Sequence, residues 1–225
     1  MNKASNSTIL DVCPLVRSDQ LDLLTEIGLD AFGEQGPRRY GLSRKDYYQR
    51  LFGLNNRIFR FILRRANEPV VKENIAGLIS VIPTRKPVYN AFRYGQISQF
   101  EFDEHHIHSE FCATTMDLYL QTLYLGDERF SMVRRMFLAL MESISEALWL
   151  NEGAGSQRDI TLFGEGVSQE GRRLMQSFNM EIAGTSREQN PVFAIQHSKD
   201  HPLQITTPHS KINASFQKVI GRIAA

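Results

Sequence analysis

The sequence feature that most constrains this fold is a buried strand followed at once by a long apolar helix, between Met116 and Leu150. Residues 116–125 read MDLYLQTLYL, a β-favouring run with one charge, which predicts a strand buried on both faces. Residues 126–129 break the strand. Apolar residues then recur at helical spacing through Leu150, namely at Val133, Met136, Phe137, Leu140, Ile144, Ala147 and Leu148. This helix would point its free N–H groups and positive dipole end at the turn, which is the usual setting of a phosphate site.

The rest of the chain predicts a mixture of strands and helices. Further strands are predicted at Ile9–Val16, Arg57–Leu63, Asn74–Ile82, Asp159–Phe163, Met180–Gly184 and Pro191–Gln196. Further helices are predicted at Ser18–Ala31, after a Ser43 cap, after a Ser168 cap, and at Ser210–Ile223. The segment Pro83–Thr115 is too long for a tight hairpin, so it should have structure of its own, with a strand at Gln96–Phe102.

Composition excludes some partners. The 225 residues are 42% hydrophobic, enough for one well-filled core, and the net charge of +1 gives no reason to expect nucleic acid or an anionic membrane as partner. No run reaches the roughly 20 apolar residues that a membrane helix needs, and the polar N-terminus lacks a signal core. We therefore expect a cytoplasmic protein without a membrane span. The sequence does not indicate its oligomeric state.

This order of strands and helices resembles the GNAT superfamily of N-acyltransferases, in which two helices follow the first strand and a strand–turn–helix binds acyl-CoA. The resemblance extends from about Ile9 to Gln196 and is strongest from Leu118 to Phe193. It implies an α/β fold with a mixed, mostly antiparallel sheet, helices on both faces, and strands that splay apart at the acyl-CoA site. The strands at Asp117–Leu125 and Asp159–Phe163 should accordingly be parallel neighbours that separate beyond Gly126. It also implies one domain over residues 1–200, with an insertion at about 83–115 and a C-terminal tail at 201–225.

The resemblance places the acyl-CoA, with acetyl-CoA as the leading candidate, against the end of the 116–125 strand and the turn after it. Gly126, Arg129 and Ser131 fall at the three positions of the family's turn signature, where only the small Ser131 fits well. Asp127 and Glu128 would repel a pyrophosphate, and nearby arginines would offset that charge. The candidate cofactor-binding residues are Leu123, Tyr124, Leu125, Arg129, Phe130, Ser131, Met132, Val133, Arg134 and Arg135.

The implied reaction is direct attack of a neutral amine on the thioester, which needs a base for the amine proton and benefits from an acid for the thiolate. The candidate bases are Glu101, Asp103 and Glu104. Met175 stands where the family commonly has the tyrosine that protonates the thiolate, and a thioether donates no proton. The hydroxyls that remain as candidate acids are Ser177, Tyr119 and Tyr124. Each of these side chains also has an ordinary structural explanation.

Other functions stay open at this stage. The acceptor is a small-molecule or peptide amine. The donor is acyl-CoA or, as in relatives that make N-acyl amino acids or acyl-homoserine lactones, an acyl-carrier protein. Because both signature positions are altered, a degenerate member that only binds a ligand or partner is a third hypothesis. His105 and His108 stand three apart, but no second ligand pair at recognisable spacing completes a metal site, so we predict none.

Overall fold

A computed structural model describes residues 14–65, 68–109, 116–126 and 160–197 of the chain. These residues form one six-stranded sheet. Its strands are β1 (Phe59–Leu63), β2 (Ile75–Arg85), β3 (Met116–Leu125), β4 (Ile160–Glu165), β5 (Glu181–Thr185) and β6 (Pro191–His197). The strand order is β1-β2-β3-β4-β6-β5, and the β3–β4 pair is the parallel one among five pairings. The predicted fold class, a mixed and mostly antiparallel sheet in an α/β protein, is confirmed.

Helices surround this sheet. They are α1 (Leu21–Phe32), α2 (Gln35–Arg38), α3 (Arg44–Leu54), α4 (Lys86–Arg93) and α5 (Gln169–Ser177). The predicted caps of α3 and α5 are confirmed, because Ser43 Oγ accepts the Asp46 N–H at 3.0 Å and Ser168 Oγ accepts the Gly171 N–H at 2.9 Å. Within the described ranges, no helix is both long and apolar enough to cross a membrane.

Several predictions fall wholly or partly outside the described residues. They are the Phe130–Leu150 helix, the Ser210–Ile223 helix, and residues 9–13 of the first strand. The described end of that strand lies alongside β1, where Val16 N–H donates to Phe59 O and Phe61 N–H donates to Pro14 O, both at 3.1 Å.

The insertion after β2 was predicted partly wrongly. It does have structure of its own, but the predicted strand at Gln96–Phe102 is absent there; Gln99–Glu101 is a 3-10 turn preceded by α4. Local capping explains the difference. Ser98 Oγ accepts the Phe100 N–H at 3.4 Å, and the Ser98 N–H donates to Glu101 at 2.8 Å, so side chains take the backbone groups that a strand would have paired.

The parallel strands β3 and β4 stay together for only a short distance. Their paired residues are Leu118–Leu162, Tyr119–Phe163 and Leu120–Gly164. Beyond that point β3 remains paired with β2 as far as Leu125, while β4 continues along β6 as far as Glu165. The sequence predicted parallel neighbours that separate beyond Gly126. The pairing is confirmed, but the separation begins earlier, at Leu120 and Gly164.

Packing of α1 against α3 depends on a glycine. A Cβ at Gly28 would lie 2.4 Å from the Tyr48 hydroxyl oxygen, so Gly28→Ala must displace a buried ring. We expect Gly28→Ala to lower the free energy of unfolding by about 1–2 kcal/mol, since overpacking outweighs the gain of about 1 kcal/mol in helix propensity. Urea denaturation measures the change.

Gly53→Ala is the matched control. Gly53 is exposed in α3, and no described atom lies within 4 Å of its Cβ position. The same substitution should therefore stabilise the protein there, by about 0.5–1 kcal/mol. Stabilisation at both glycines would contradict the packing argument.

Candidate functional site

The site is the point where β3 and β4 separate. Gln121 and Glu165 are the first residues after the last pair, Leu120–Gly164. The two backbones approach closely there, since a Cβ added at Gly164 would lie only 2.9 Å from Leu120 O. The β2–β3 register shifts at the same level: Ser80 pairs with Thr122 and Val81 with Leu120, so Gln121 occupies a β-bulge. Such a bulge bends the strand and re-aims its side chains, which fits a strand that leaves its neighbour.

The Gln121 side chain ties this bulge to the helical layer. Its carbonyl accepts the Ser80 hydroxyl at 2.7 Å, and its amide donates to the Tyr47 hydroxyl on α3. Tyr47 in turn donates to Gln99 O at 3.3 Å, and its ring is buried. The bulge is therefore held in one position by groups from β2, α3 and the insertion.

Glu165, the last residue of β4, is a buried carboxylate with neutral donors around it. Its exposed fraction is 8%. Oε1 accepts the Ser186 hydroxyl at 2.5 Å and the Asn190 amide at 2.8 Å, and Oε2 accepts the Gln99 amide at 3.3 Å. Burial raises the pKa of Glu165 above the usual glutamate value, although these hydrogen bonds act in the opposite direction. The group is thus placed to hold or release a proton beside the strand separation.

A second carboxylate, Glu188, lies on the loop that supplies Ser186 and Asn190. Its Oε1 accepts the Tyr40 hydroxyl at 2.8 Å and the Ser98 hydroxyl. Its Oε2 is buried and has no hydrogen-bond partner among the described residues. A buried carboxylate oxygen without a donor is costly, so it is the kind of atom at which a ligand group binds.

Tyr119, one residue before the last β3–β4 pair, carries a second unsatisfied atom. The side chain is completely buried on β3 beside Phe163, with ring centroids 5.1 Å apart, and its hydroxyl has no partner in the described structure. Burial, and after it the nearby charge of Glu165, raises the pKa of Tyr119 well above its usual value. The hydroxyl therefore keeps its proton and is available as a hydrogen-bond donor. We call the residues gathered here the acidic cluster: Tyr40, Ser98, Gln99, Tyr119, Glu165, Ser186, Glu188 and Asn190.

The carboxylates that the sequence suggested as bases are Glu101, Asp103 and Glu104, and the first two are bound by other side chains. Glu101 accepts two hydrogen bonds from Arg187, the shorter at 2.8 Å, and closes the Ser98 capping box. Asp103 lies 2.6 Å from His106 Nδ1; burial acts to raise its pKa, but hydrogen bonds from His105 and His106 hold that pKa below its usual value. Glu104 is exposed. Glu101 is thus bonded to Ser98 of the acidic cluster, and the proposed role of all three carboxylates stays a prediction.

Among the candidate acids, the structure brings Tyr119 to the separation. Ser177 donates to Leu174 O at 2.7 Å within α5, and Tyr124 is half-buried with its ring edge-on to Phe32. Met175 is buried against Gly164. It therefore packs beneath the last β3–β4 pair.

The described part of the predicted cofactor-binding set is on β3. Leu123, Tyr124 and Leu125 are half-buried on the portion of β3 that β4 has left. The remaining residues of that set, 129–135, lie outside the described residues. His105 and His108 do not belong to a group of metal-ligating side chains. Over the ranges that the structure describes, no three His, Cys, Asp or Glu side chains are close enough together to hold a metal ion.

Sequence reasoning did not find Glu165 or Glu188. Glu165 had a local signal, because it is the one carboxylate at the end of an otherwise apolar strand, a position at which functional side chains are common in parallel sheets. Glu188 had none, since a glutamate in a polar loop is typical of a solvated surface. Its role depends on contacts with Tyr40 and Ser98, which are distant in sequence.

No protein-family profile and no curated protein sequence matches this chain. Solved structures with a similar fold include the NatB acetyltransferase complex bound to a bisubstrate inhibitor, with a TM-score of 0.45 and 10% identity over 87% of this chain and 96% of that chain. Arabidopsis thaliana NAA60 with a bisubstrate analogue gives 0.43 and 12% over 81% and 95%. GphF, a GNAT-like decarboxylase in complex with isobutyryl-CoA, gives 0.44 and 14% over 81% and 96%. At such identities the likeness concerns the fold alone.

Proposed function

We propose that this chain, which has a divergent GNAT-type fold, transfers an acyl group from acyl-CoA to an amine. The observation that carries the proposal is the separation of the parallel strands β3 and β4 after Leu120 and Gly164. Beyond this pair, the edge of β3 that faces away from β2 is no longer covered by β4. An extended thioester-bearing chain fits such an edge, because it can take the backbone hydrogen bonds that a neighbouring strand would have made.

The reaction centre would lie between the β3 bulge and the acidic cluster. Backbone N–H groups of β3 near Gln121 would polarise the thioester carbonyl as negative charge develops on its oxygen. Glu165 follows Gly164 directly and is the carboxylate nearest to this point along β4. Its raised pKa makes it a better proton acceptor than an ordinary surface glutamate, so we assign it the role of base.

The bonds of this reaction balance without a further reactant. The amine arrives as an ammonium ion and gives one proton to Glu165. The neutral nitrogen then attacks the thioester carbon, the C–N bond forms, and the C–S bond breaks. The nitrogen loses its second proton to the departing thiolate, which leaves as a thiol. A methionine at position 175, where a proton-donating tyrosine would otherwise be expected, is compatible with this route. The thiolate receives its proton from the nucleophile and needs no side-chain acid.

We further propose that the predicted helix start after Gly126 binds the CoA phosphates through backbone N–H groups from Arg129 to Val133. Arg129→Ala should weaken CoA binding by roughly 3–10-fold, and Asp127→Asn with Glu128→Gln should tighten it by a similar factor, since unit charges near a protein surface interact by about 1–4 kcal/mol at contact. Titration calorimetry with CoA measures both, and the gain from the double variant should shrink in high salt.

Three outcomes of these experiments test whether acyl-CoA is the donor and where its phosphates bind. Binding of CoA together with thiol release from acetyl-CoA, or from a longer acyl-CoA, in the presence of an amine supports the proposal. CoA binding that neither substitution alters would place the phosphates elsewhere. If CoA does not bind at all, acyl-CoA is not the donor, and an acyl-carrier protein or a binding-only function takes its place.

A further inference from the structure

The turn between β5 and β6, residues 186–190, is bonded to the end of β4 through one carboxylate. Glu165 Oε1 accepts the Ser186 hydroxyl at 2.5 Å and the Asn190 amide at 2.8 Å, so both ends of the turn are bonded to the same oxygen atom. Inside the turn, the Ser186 N–H donates to Asn190 O at 2.9 Å and the Gln189 N–H donates to Ser186 O at 3.0 Å. The turn is therefore a closed unit that is fixed to Glu165.

Glu188, inside the same turn, bonds it to two other segments. Glu188 Oε1 accepts the Tyr40 hydroxyl at 2.8 Å and the Ser98 hydroxyl. Arg187 adds an ion pair with Glu101 at 2.8 Å, but both side chains are more than a third exposed, so this pair contributes little. The position of the turn therefore depends mainly on the two carboxylates.

These two carboxylates are held by neutral groups. Over the residues that the structure describes, every donor to Glu165 or Glu188 is a hydroxyl or an amide, from the side chains of Tyr40, Ser98, Gln99, Ser186 and Asn190. Glu188 Oε2 is buried and has no partner among them. Like charges that share a site disfavour each other's ionised form, so the turn is held most firmly when one of the two carboxyl groups carries a proton.

Glu165 is the group that can carry this proton. The other titratable side chains that face the pair in the described structure are three tyrosines and one ion pair: Tyr40, Tyr47, Tyr119, Glu101 and Arg187. Burial raises the pKa of each tyrosine above its usual value, so these hydroxyls stay neutral. Burial is also the main influence on Glu165 and raises its pKa; the charge of Glu188 acts in the same direction, while hydrogen bonds from Ser186 and Asn190 oppose the rise.

We propose that the 186–190 turn is a pH-dependent latch at the strand separation, closed while Glu165 holds a proton and opened when that proton is lost beside Glu188. With the proton on Glu165 Oε2, Oε1 still accepts from Ser186 and Asn190, and the Gln99 amide can turn so that its carbonyl accepts the proton. When the proton passes to water, two carboxylates remain without a bonded cation, and opening of the turn lets water solvate both. This inference goes beyond acyl transfer and does not depend on it.

The direction of the pH dependence follows from proton linkage. The pKa of Glu165 in the closed turn is higher than its reference value of 4.5, which applies once the turn has opened into water. The closed form therefore binds the proton more tightly. Its advantage is complete below pH 4.5 and is lost as pH rises through the closed-state pKa. Opening then admits water to Glu165, the first residue of β4 beyond its pairing with β3.

Hydrogen exchange of the intact chain, followed by mass spectrometry, measures opening at the Ser186 and Gln189 amides, which are bonded within the turn. At each pH the observed rate is divided by the intrinsic rate of an unstructured peptide of the same sequence. We expect this protection to fall by about 10-fold or more from about pH 5 to about pH 8. Low concentrations of urea should leave exchange in the turn unchanged and accelerate it in β2, because opening of a turn exposes much less surface than global unfolding does.

Two substitutions each remove one charge from the latch. Glu165→Gln cannot ionise, so protection of the turn should be high and independent of pH over this range. In Glu188→Gln the neighbouring charge is absent, so the fall in protection should shrink by at least about 2-fold. Glu73→Gln removes the same charge from the exposed 3-10 turn before β2 and, as the matched control, should keep the full wild-type fall.

Arg187→Gln separates the latch from the exposed ion pair. Loss of the pair with Glu101 should lower protection by about 3-fold or less at every pH and leave its pH dependence intact, because exposed pairs contribute little. If this variant abolished the pH dependence, the ion pair and not Glu165 would control the turn, and the proposal would be overturned.

Three further results would also overturn it. They are wild-type protection that stays constant with pH, a fall that persists undiminished in Glu165→Gln, and a fall that urea enhances equally in the turn and in β2, which would mean that the whole chain unfolds. Thiol release from acyl-CoA enters none of these outcomes, so the latch and the acyltransferase proposal stand or fail separately.

Discussion

Replacing Glu165 by glutamine should lower kcat for acyl transfer by at least about 100-fold, because a general base contributes typically 10²–10⁴-fold. The substitution preserves volume. The glutamine carbonyl can still accept from Ser186 and Asn190, and the Gln99 amide can turn so that its carbonyl faces the new NH₂ group. The fold and the binding of CoA should therefore stay intact. Release of thiol from acetyl-CoA, followed under saturating amine, measures the rate.

Two comparisons make this result specific. Glu170→Gln, in the exposed first turn of α5, should keep the wild-type rate. The residual activity of Glu165→Gln should rise with pH, because the reacting amine then loses its proton to solvent without help from a side chain. An undiminished kcat in Glu165→Gln would exclude Glu165 as the base and return that role to Glu101, Asp103 or Glu104.

The same carboxylate affects stability in a direction set by its pKa. Burial raises the pKa of Glu165 in the folded protein above its reference value of 4.5, so the folded state binds a proton more tightly than the unfolded state does. The contribution of Glu165 to stability is therefore greatest below pH 4.5 and falls as pH rises through the folded-state value. Glu165→Gln cannot ionise, so its stability relative to the wild-type protein should increase over this pH range.

Removing the Asp117 carboxylate should cause the largest loss of stability, about 2–4 kcal/mol for Asp117→Ala. Asp117 is the single charge in β3, and its side chain is 2% exposed. Its Oδ1 accepts the Lys86 ammonium at the start of α4 and the Thr161 N–H of β4, each at 2.8 Å. The alanine variant leaves that N–H buried without an acceptor at the base of the β3–β4 pair. A loss of this size would lower the Tm by roughly 5–15 °C in a chain of this length.

Asp117→Asn tests whether the acceptor or the charge matters more. The asparagine carbonyl can still accept from Thr161, so the loss should be about half that of the alanine variant or less. Asp19→Ala is the surface control, since its pair with Arg17 is 62–70% exposed and should contribute little. Equal effects of the alanine and asparagine substitutions at position 117 would show that the ion pair with Lys86 dominates.

The sequence predicted the parts of the fold that depend on near neighbours in the chain. The apolar run of β2, the aromatic run of β3 and the serine caps of α3 and α5 are local patterns, and all are present in the structure. The resemblance to the N-acyltransferase superfamily added that β3 and β4 are parallel neighbours, which the pairing confirms. The strand predicted at Gln96–Phe102 failed because a local capping box outweighed its apolar residues.

The sequence by itself determined most of the strand and helix types. Only the tertiary structure decided where β3 and β4 separate and which carboxylates meet there. The separation depends on the bulge at Gln121 and on the close contact of Gly164 with Leu120, both of which are relations between strands. The acidic cluster likewise joins β3, β4, the Tyr40 loop, the insertion and the β5–β6 loop. Residue patterns act over a few positions, whereas burial and charge pairing arise between segments that the chain brings together only when it folds.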